Sequence, residues 1–277
     1  MTGEKMAVAV TGLTPAQRFH FDVYGYVLLE QALTHDEVEA MKAALYRLRE
    51  EKDKSARRVY HSWTGTHAIK MGNLVGYDPA LLHFATHTKL IPCVEEIIGG
   101  TIRLEESEAI INRRNPYIDL KVLAGRRGVL PTGFHTGTRH GWGTWLEKEK
   151  FQCLFVKTLA YLTDVGPGDG GTAIIPGSHK MGWDEQEMIA AAMDDPDKLI
   201  RQIEAPAGSV ILFAESLIHS TTEILTENER VILVSGYTPP MMREWPGNEP
   251  DLEFAATLPE RERKIITGED SWNWKRR

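Results

Sequence analysis

Gly133-Phe134-His135-Thr136-Gly137-Thr138-Arg139-His140 is the stretch on which the reading of this chain turns. In an extended segment successive side chains face opposite ways, so His135 and residue 137 share one face while Thr136 and Thr138 share the other. Far downstream, Ile218-His219-Ser220-Thr221 supplies a second histidine, and Arg230 follows it by eleven residues. A lone histidine is an ordinary strand residue that finds hydrogen-bond partners easily. Two of them in this order, followed by a threonine and an arginine, point to a site.

The pattern to compare is a histidine, a carboxylate two residues on, and a distant histidine. That trio is the facial triad of non-haem Fe(II) oxygenases, which leaves the opposite coordination positions open. Here residue 137 is glycine, and the nearest acids, Asp119 and Glu147, lie sixteen residues before and twelve after His135. Slipping the register by one residue recovers no carboxylate.

Further motifs extend the pattern: Asp22-Val23-Tyr24-Gly25-Tyr26-Val27, Gly168-Asp169-Gly170-Gly171-Thr172, Pro176-Gly177-Ser178-His179, and His219-x-Thr221 with Arg230. On these residues and the His135 segment the chain resembles the phytanoyl-CoA dioxygenase-like Fe(II)/2-oxoglutarate enzymes over most of its length. Within that superfamily, His-x-Gly is similar to the halogenases, in which a halide takes the metal position left by the missing carboxylate. Chloride there restores one ligand and one negative charge.

The resemblance implies Fe(II) held by His135 and His219, with chloride at the vacant Gly137 position. It implies 2-oxoglutarate as a bidentate co-substrate whose distal carboxylate pairs with Arg230, assisted by the Thr221 hydroxyl, and Asn112 contacting its other end. A guanidinium suits that role because its fork matches a carboxylate bidentately. With O2, such a site chlorinates an unactivated C–H bond while 2-oxoglutarate becomes succinate and carbon dioxide. Two alternatives stay open: a hydroxylase of a small metabolite, and a catalytically inactive binding protein with the same fold.

Basic and aromatic residues gather near this stretch: Arg113, Arg114, Lys121, Arg126, Arg127 and Arg139, with His140, Trp142 and Trp145, and later Arg243. Cations beside aromatic rings suit a planar base bearing phosphate. As a free-standing phytanoyl-CoA dioxygenase-like chain with a His-x-Gly site, the protein is similar to the nucleotide halogenases of nucleoside-antibiotic biosynthesis, which implies a deoxynucleotide monophosphate such as dAMP. A free amino acid or an alkaloid-like molecule would fit the same chemistry.

The 277 residues, 42% hydrophobic and 26% charged, match an ordinary globular protein and are expected to form one domain over 1–277. A formal charge of -7 argues against a nucleic-acid polymer and against an acidic carrier protein as partner. A small-molecule substrate remains. Cys93 and Cys153 have no zinc-type spacing and read as free core thiols. With no apolar run approaching a membrane span and no apolar leader in residues 1–12, the expected location is cytoplasmic.

Thr14-Pro15 opens a helix expected to run to Tyr24 and to stop at Gly25, with a strand over 26–30 after it. Thr34-His35-Asp36-Glu37 is a capping box for a helix over 35–52. Helices are expected over 78–85, 88–98, 184–193 and 258–266. From Thr101 the pattern changes to strands, over 101–113, 151–163, 172–175, 202–204, 210–213 and 231–237. Helices first and short strands later predict an α+β, mainly β protein. The resemblance implies a double-stranded β-helix (jelly roll, cupin-like) core with flanking N-terminal helices. The loops 115–131 and 239–250 are long enough to serve as lids, and Trp272 and Trp274 are expected to cover an apolar patch.

Overall fold

A computed structural model describes residues 12–51, 60–64, 66–124, 126–130, 133–138, 142–148 and 150–271. The first helix, α1 (Pro15–Tyr24), starts as its sequence dictates: the Thr14 hydroxyl accepts from the Gln17 N–H, and the Gln17 side chain accepts from the Thr14 N–H. Gly25, at φ 84°, closes it in the left-handed conformation and turns the chain into β1 (Tyr26–Leu29).

The second capping box opens α2 (His35–Glu50), and its acid reaches further than the helix end. Glu37 accepts from the Thr34 N–H at 2.7 Å, from His83 Nε2 at 2.9 Å and from His87 Nε2 at 3.3 Å. Burial works to raise its pKa, but the Thr34 N–H and His83 outweigh it and hold the carboxyl at about 2, against an ordinary 4.5. Because the folded value lies below the unfolded one, this stabilisation is complete above pH 4.5 and drains away as pH falls towards 2. Glu37→Gln is therefore expected to cost about 1 kcal/mol at neutral pH, within the range for a lost cap, and to flatten the acid limb of stability. Urea melts at neutral and at acidic pH measure both; equal losses at the two pH values would contradict the carboxylate account.

The remaining elements are β2 (Tyr60–Thr64), β3 (Ala68–Gly72), α3 (Pro79–Ala85), α4 (Ile91–Ile98), β4 (Arg103–Asn112), α5 (Leu120–Ala124), β5 (Thr144–Glu147), β6 (Lys150–Cys153), β7 (Val156–Tyr161), β8 (Thr172–Ile174), α6 (Glu185–Asp194), α7 (Pro196–Leu199), β9 (Arg201–Ile203), β10 (Val210–Ala214), β11 (His219–Thr221), β12 (Arg230–Thr238), α8 (Leu252–Ala256) and α9 (Glu260–Thr267). Seven strands form an antiparallel sheet in the order β1-β10-β7-β12-β4-β3-β2, and three form a smaller sheet, β11-β8-β9. This is the jelly-roll core.

Strand alternation decides which residues meet which layer. In β10 and β12, Val210, Leu212, Val231 and Leu233 pack with Phe21, Met41, Leu45, Phe84 and Val94 of the helices, so the helices brace one face of the large sheet. The intervening Ile211, Phe213 and Ile232 point the other way and, with Leu159 and Tyr161, meet Ile174 and Ile203 of the small sheet. Each such fully buried side chain contributes about 1.5–3 kcal/mol of burial free energy, so the two-layer arrangement is fixed by apolar alternation. The site lies where this second layer opens.

Several expectations need adjusting. The strand expected over 151–163 is two, β6 and β7, broken at Leu154 and Phe155. The helix expected over 88–98 starts at Ile91, where Pro92 sits in the first turn. The hairpin β2–β3 and the strand β5 were not legible as strands, and loop 115–131 contains α5. Trp272, Trp274, Arg139 and His140 lie outside the described residues. Cys93 and Cys153 are free and buried. Among the described residues no helix is long and apolar enough to cross a membrane.

Candidate active site

The His135 segment is not a strand: His135 makes an isolated bridge to His219, with each N–H donating to the other's carbonyl at 3.0 Å. That single bridge adds His135 to the edge of the small sheet and brings the two imidazoles together, ring centroids 4.4 Å apart. The Pro-Gly-Ser-His motif sets the partner strand. Gly177 turns at φ 84°, and the Ser178 hydroxyl accepts from the N–H of Ile218, immediately before His219.

Each imidazole is pinned the same way. His135 Nδ1 lies 3.0 Å from the Gly133 carbonyl and His219 Nδ1 lies 2.8 Å from the Leu217 carbonyl. A carbonyl oxygen only accepts, so both Nδ1 atoms carry a proton, and in the neutral tautomer this fixes, Nε2 is the atom with the lone pair. Burial, with His135 alongside, pushes the pKa of His219 down to about 3 and keeps it neutral. Two imidazoles whose Nδ1–H groups are pinned, leaving Nε2 turned to the site, are a donor set a divalent transition metal takes.

Beside them, Arg230 at the start of β12 is 1% exposed. Its Nε donates to Asn112 Oδ1 at 3.2 Å and one terminal nitrogen donates to Thr221 Oγ1 at 3.4 Å, while the other terminal nitrogen has no partner. Among the described residues no carboxylate lies within 4.0 Å of it; Glu229 is taken up by Arg49 and Arg113, and Glu227 by Arg114. A buried guanidinium with an unfilled donor calls for an anion. Asp169 of the Gly-Asp-Gly-Gly motif steadies the approach to it, accepting from Thr226 Oγ1 at 2.5 Å and Asn228 Nδ2 at 3.0 Å. Asn112 stands against the guanidinium.

Gly137 is not a vacancy. Its N–H donates to the Glu215 carbonyl at 3.1 Å, and a Cβ built on it would fall 1.4 Å from Glu215 Oε1. Glu215 is 6% exposed. Burial pushes its pKa up to about 8, with Glu106 and Glu105 adding to the rise and Lys157 opposing it. Sequence reasoning missed this residue, although a lone acid in Val210-Ile211-Leu212-Phe213-Ala214-Glu215-Ser216-Leu217-Ile218 was a signal: charges are rarely buried in such a run without a task.

His135, Gly137, Glu215, His219 and Thr221 line one cavity of about 460 Å³. Its floor is apolar, from Leu159, Phe213 and Ile232, and its rim carries Glu106, Glu108 and Trp245. Lys70 pairs with Glu108 at 2.7 Å, and the buried Lys157 bonds both Glu105 and Glu106. The described members of the expected cationic wall lie elsewhere. Arg126, Arg127, Trp142 and Arg243 are all exposed and none lines the cavity; Arg127 faces Asp197 at 3.5 Å and Trp142 leans on Phe155. Loop 239–250 does border the site, through Trp245, Pro246 and Asn248.

Another cluster of metal-type donors exists among the described residues. Glu37, His83 and His87 hold their donor atoms within 4.8 Å of one another, on α2 and at α3, and satisfy each other by the hydrogen bonds given above.

The match to known proteins agrees with this architecture. The family model of phytanoyl-CoA dioxygenase (PhyH) spans residues 21–232, and the chain belongs to that family. Ectoine dioxygenase of Nocardia farcinica is 22% identical over 228 residues, covering 74% of this chain and 71% of that protein. HygX from Streptomyces hygroscopicus, solved with nickel, 2-oxoglutarate and hygromycin B bound, superposes with a TM-score of 0.67 at 23% identity, over 84% of this chain and 90% of that one. SnoK, a non-heme alpha ketoglutarate dependent carbocyclase from nogalamycin biosynthesis, gives a TM-score of 0.61 at 18% identity, over 82% and 84%.

Proposed function

We propose that this protein is an Fe(II)- and 2-oxoglutarate-dependent oxygenase that hydroxylates an unactivated C–H bond of a small molecule which is not itself an anion. The observation that carries this is the juxtaposition of two imidazoles with pinned Nδ1–H groups, at the edge of the small sheet, and a buried guanidinium lacking a counter-ion, which reaches from β12 of the large sheet to Thr221 of β11. His135 and His219 would hold the metal. Arg230, with Thr221 and Asn112, would hold the distal carboxylate of 2-oxoglutarate, an arrangement in keeping with the co-substrate bound to HygX.

Iron(II) with 2-oxoglutarate and O2 supplies the oxidising power for C–H cleavage; one oxygen atom goes to the product alcohol and the other to succinate, with loss of carbon dioxide. The chain's own work is positional. Pinned Nδ1–H groups keep the imidazoles turned inward, the apolar floor of Leu159, Phe213 and Ile232 excludes water, and Glu106 and Glu108 set the charge met by the substrate.

The halogenase reading requires room for chloride at Gly137, and the Glu215 carboxylate stands in that room. A halide there would have to displace a buried side chain that already fills the position. The nucleotide reading requires free cations around the cavity, yet Lys70 and Lys157 are both committed to carboxylates. Amine- or hydroxyl-bearing molecules suit such a rim better than phosphates.

Turnover tests the proposal. Fe(II) protein mixed anaerobically with 2-oxoglutarate is expected to develop weak visible absorption and to form succinate on exposure to air, and in a screen of amines, polyols and nucleotides the product is expected to gain one oxygen. Absence of both absorption and succinate would reduce the protein to a binding module. A chlorine isotope pattern in the product would reinstate the halogenase, and turnover confined to nucleoside phosphates would reinstate that substrate.

A further inference from the structure

We infer that Glu215, reaching in from the end of β10, supplies the metal-binding carboxylate that the His135 segment lacks. The inference rests on the iron reading above and names a ligand from a different strand. In a His-x-Asp site the carboxylate begins at the Cβ of the third residue. Here that point is occupied by the acid itself: a Cβ on Gly137 would lie 1.4 Å from Glu215 Oε1, 2.3 Å from its Cδ and 2.6 Å from its Cγ. Glycine at 137 is thus the residue that admits Glu215.

The backbone holds Glu215 in register with the imidazoles. Its carbonyl accepts from the Gly137 N–H and its own N–H donates to the Phe155 carbonyl, both at 3.1 Å, so it is tied at once to the His135 segment and to the start of β7. Four residues on, His219 enters the same cavity from β11.

The side chain is incompletely satisfied. Glu215 is 6% exposed, its Oε2 has no hydrogen-bond partner, and among the described residues no cation lies within 4.0 Å of either oxygen. Lys157, the nearby amine, is spent on Glu105 and Glu106. A buried carboxylate oxygen lacking a donor is rare unless something else engages it, and a divalent cation shared with two imidazoles would. The donor atoms of His135, Glu215 and His219 do not all stand within 4.8 Å of one another, so ligation turns the carboxylate about its own side-chain torsions. Glutamate has one more of these than aspartate, which suits an approach from across the site.

The test is metal affinity, read without turnover. Co(II) and Fe(II) binding to the whole chain is measured by chelator competition, and the Co(II) spectrum and the Fe(II)·2-oxoglutarate absorption are recorded with and without chloride. The variants are Glu215→Gln, Glu215→Ala, Glu215→Asp and His135→Ala, each checked for folding by its melting curve. Loss of an outer-shell partner alone typically costs roughly 10–100-fold in metal affinity, so Glu215→Gln is expected to lose at least that and to shift the Co(II) bands. Glu215→Asp, which keeps the charge, is expected to fall between Gln and wild type. Chloride is expected to perturb the absorption of Glu215→Ala and to leave wild type unchanged. Wild-type metal affinity and an unaltered Co(II) spectrum in Glu215→Gln, alongside a loss in His135→Ala, would overturn this inference and leave the iron reading standing. Undiminished binding in His135→Ala would overturn both.

Discussion

Arg230→Ala is expected to weaken 2-oxoglutarate binding by about 2–5 kcal/mol, the range for truncating one partner of a buried charge pair. The guanidinium is 1% exposed, and its two contacts, Asn112 and Thr221, are neutral acceptors. Burial pulls its pKa down to about 10, with Tyr161 and Glu223 opposing, which leaves it charged at neutral pH. A positive charge without a counter-ion is a cost in the free protein, and a dicarboxylate that enters with one end at the arginine removes that cost. The variant should therefore behave oppositely in two measurements. Its melting temperature without ligand is expected to stay close to wild type or to rise, because an uncompensated charge is gone. Its stabilisation by 2-oxoglutarate should vanish. Arg230→Lys is expected to fall between, since a lysine keeps the charge and loses the fork. Calorimetric titration gives the affinity directly, and an unchanged value for Arg230→Ala would move the carboxylate clamp to another residue.

The parts of this protein that were legible in the sequence are those whose causes are local. Thr14-Pro15 with Gln17 and Thr34 with Glu37 carry their capping partners within three residues, and Gly25 marks a helix end by its own backbone freedom. His135, His219 and Arg230 were legible as a group because their order and neighbours form a pattern. What failed was spatial. The basic residues of loop 115–131 are near His135 along the chain, yet Arg126 and Arg127 turn to the surface around α5, and the cavity rim is built from β3, β4 and the loop after β12. Proximity in sequence says little across a sheet whose neighbouring strands are far apart in the chain. Glu215 belongs to the same class of miss: it fills the gap at Gly137 from the end of β10, far along the chain, and nothing within a few residues of His135 announces it. Its mark was the opposite kind of signal, one charge within an apolar run.

Moving the carboxylate back to residue 137 should first break the site and then restore it. Gly137→Asp alone sets a Cβ 1.4 Å from Glu215 Oε1, which forces the Glu215 side chain out and leaves two acids competing for one position. The backbone at 137 is outside the left-handed region, so the substitution meets no conformational barrier of its own. The atoms to be displaced belong to a side chain rather than to backbone, so the variant is expected to fold, with metal affinity and 2-oxoglutarate turnover down by roughly 10-fold or more through misplaced ligands. Glu215→Ala in the same chain then empties the space and removes the competing acid. The double variant, with His135, Asp at 137 and His219, has the spacing of an ordinary facial triad, and its metal affinity is expected to exceed that of either single variant. Metal titration of the three proteins measures this as a non-additive cycle. Independent, additive losses would mean that residues 137 and 215 do not share one function, whereas recovery in the double variant ties the glycine to the acid that stands in its place.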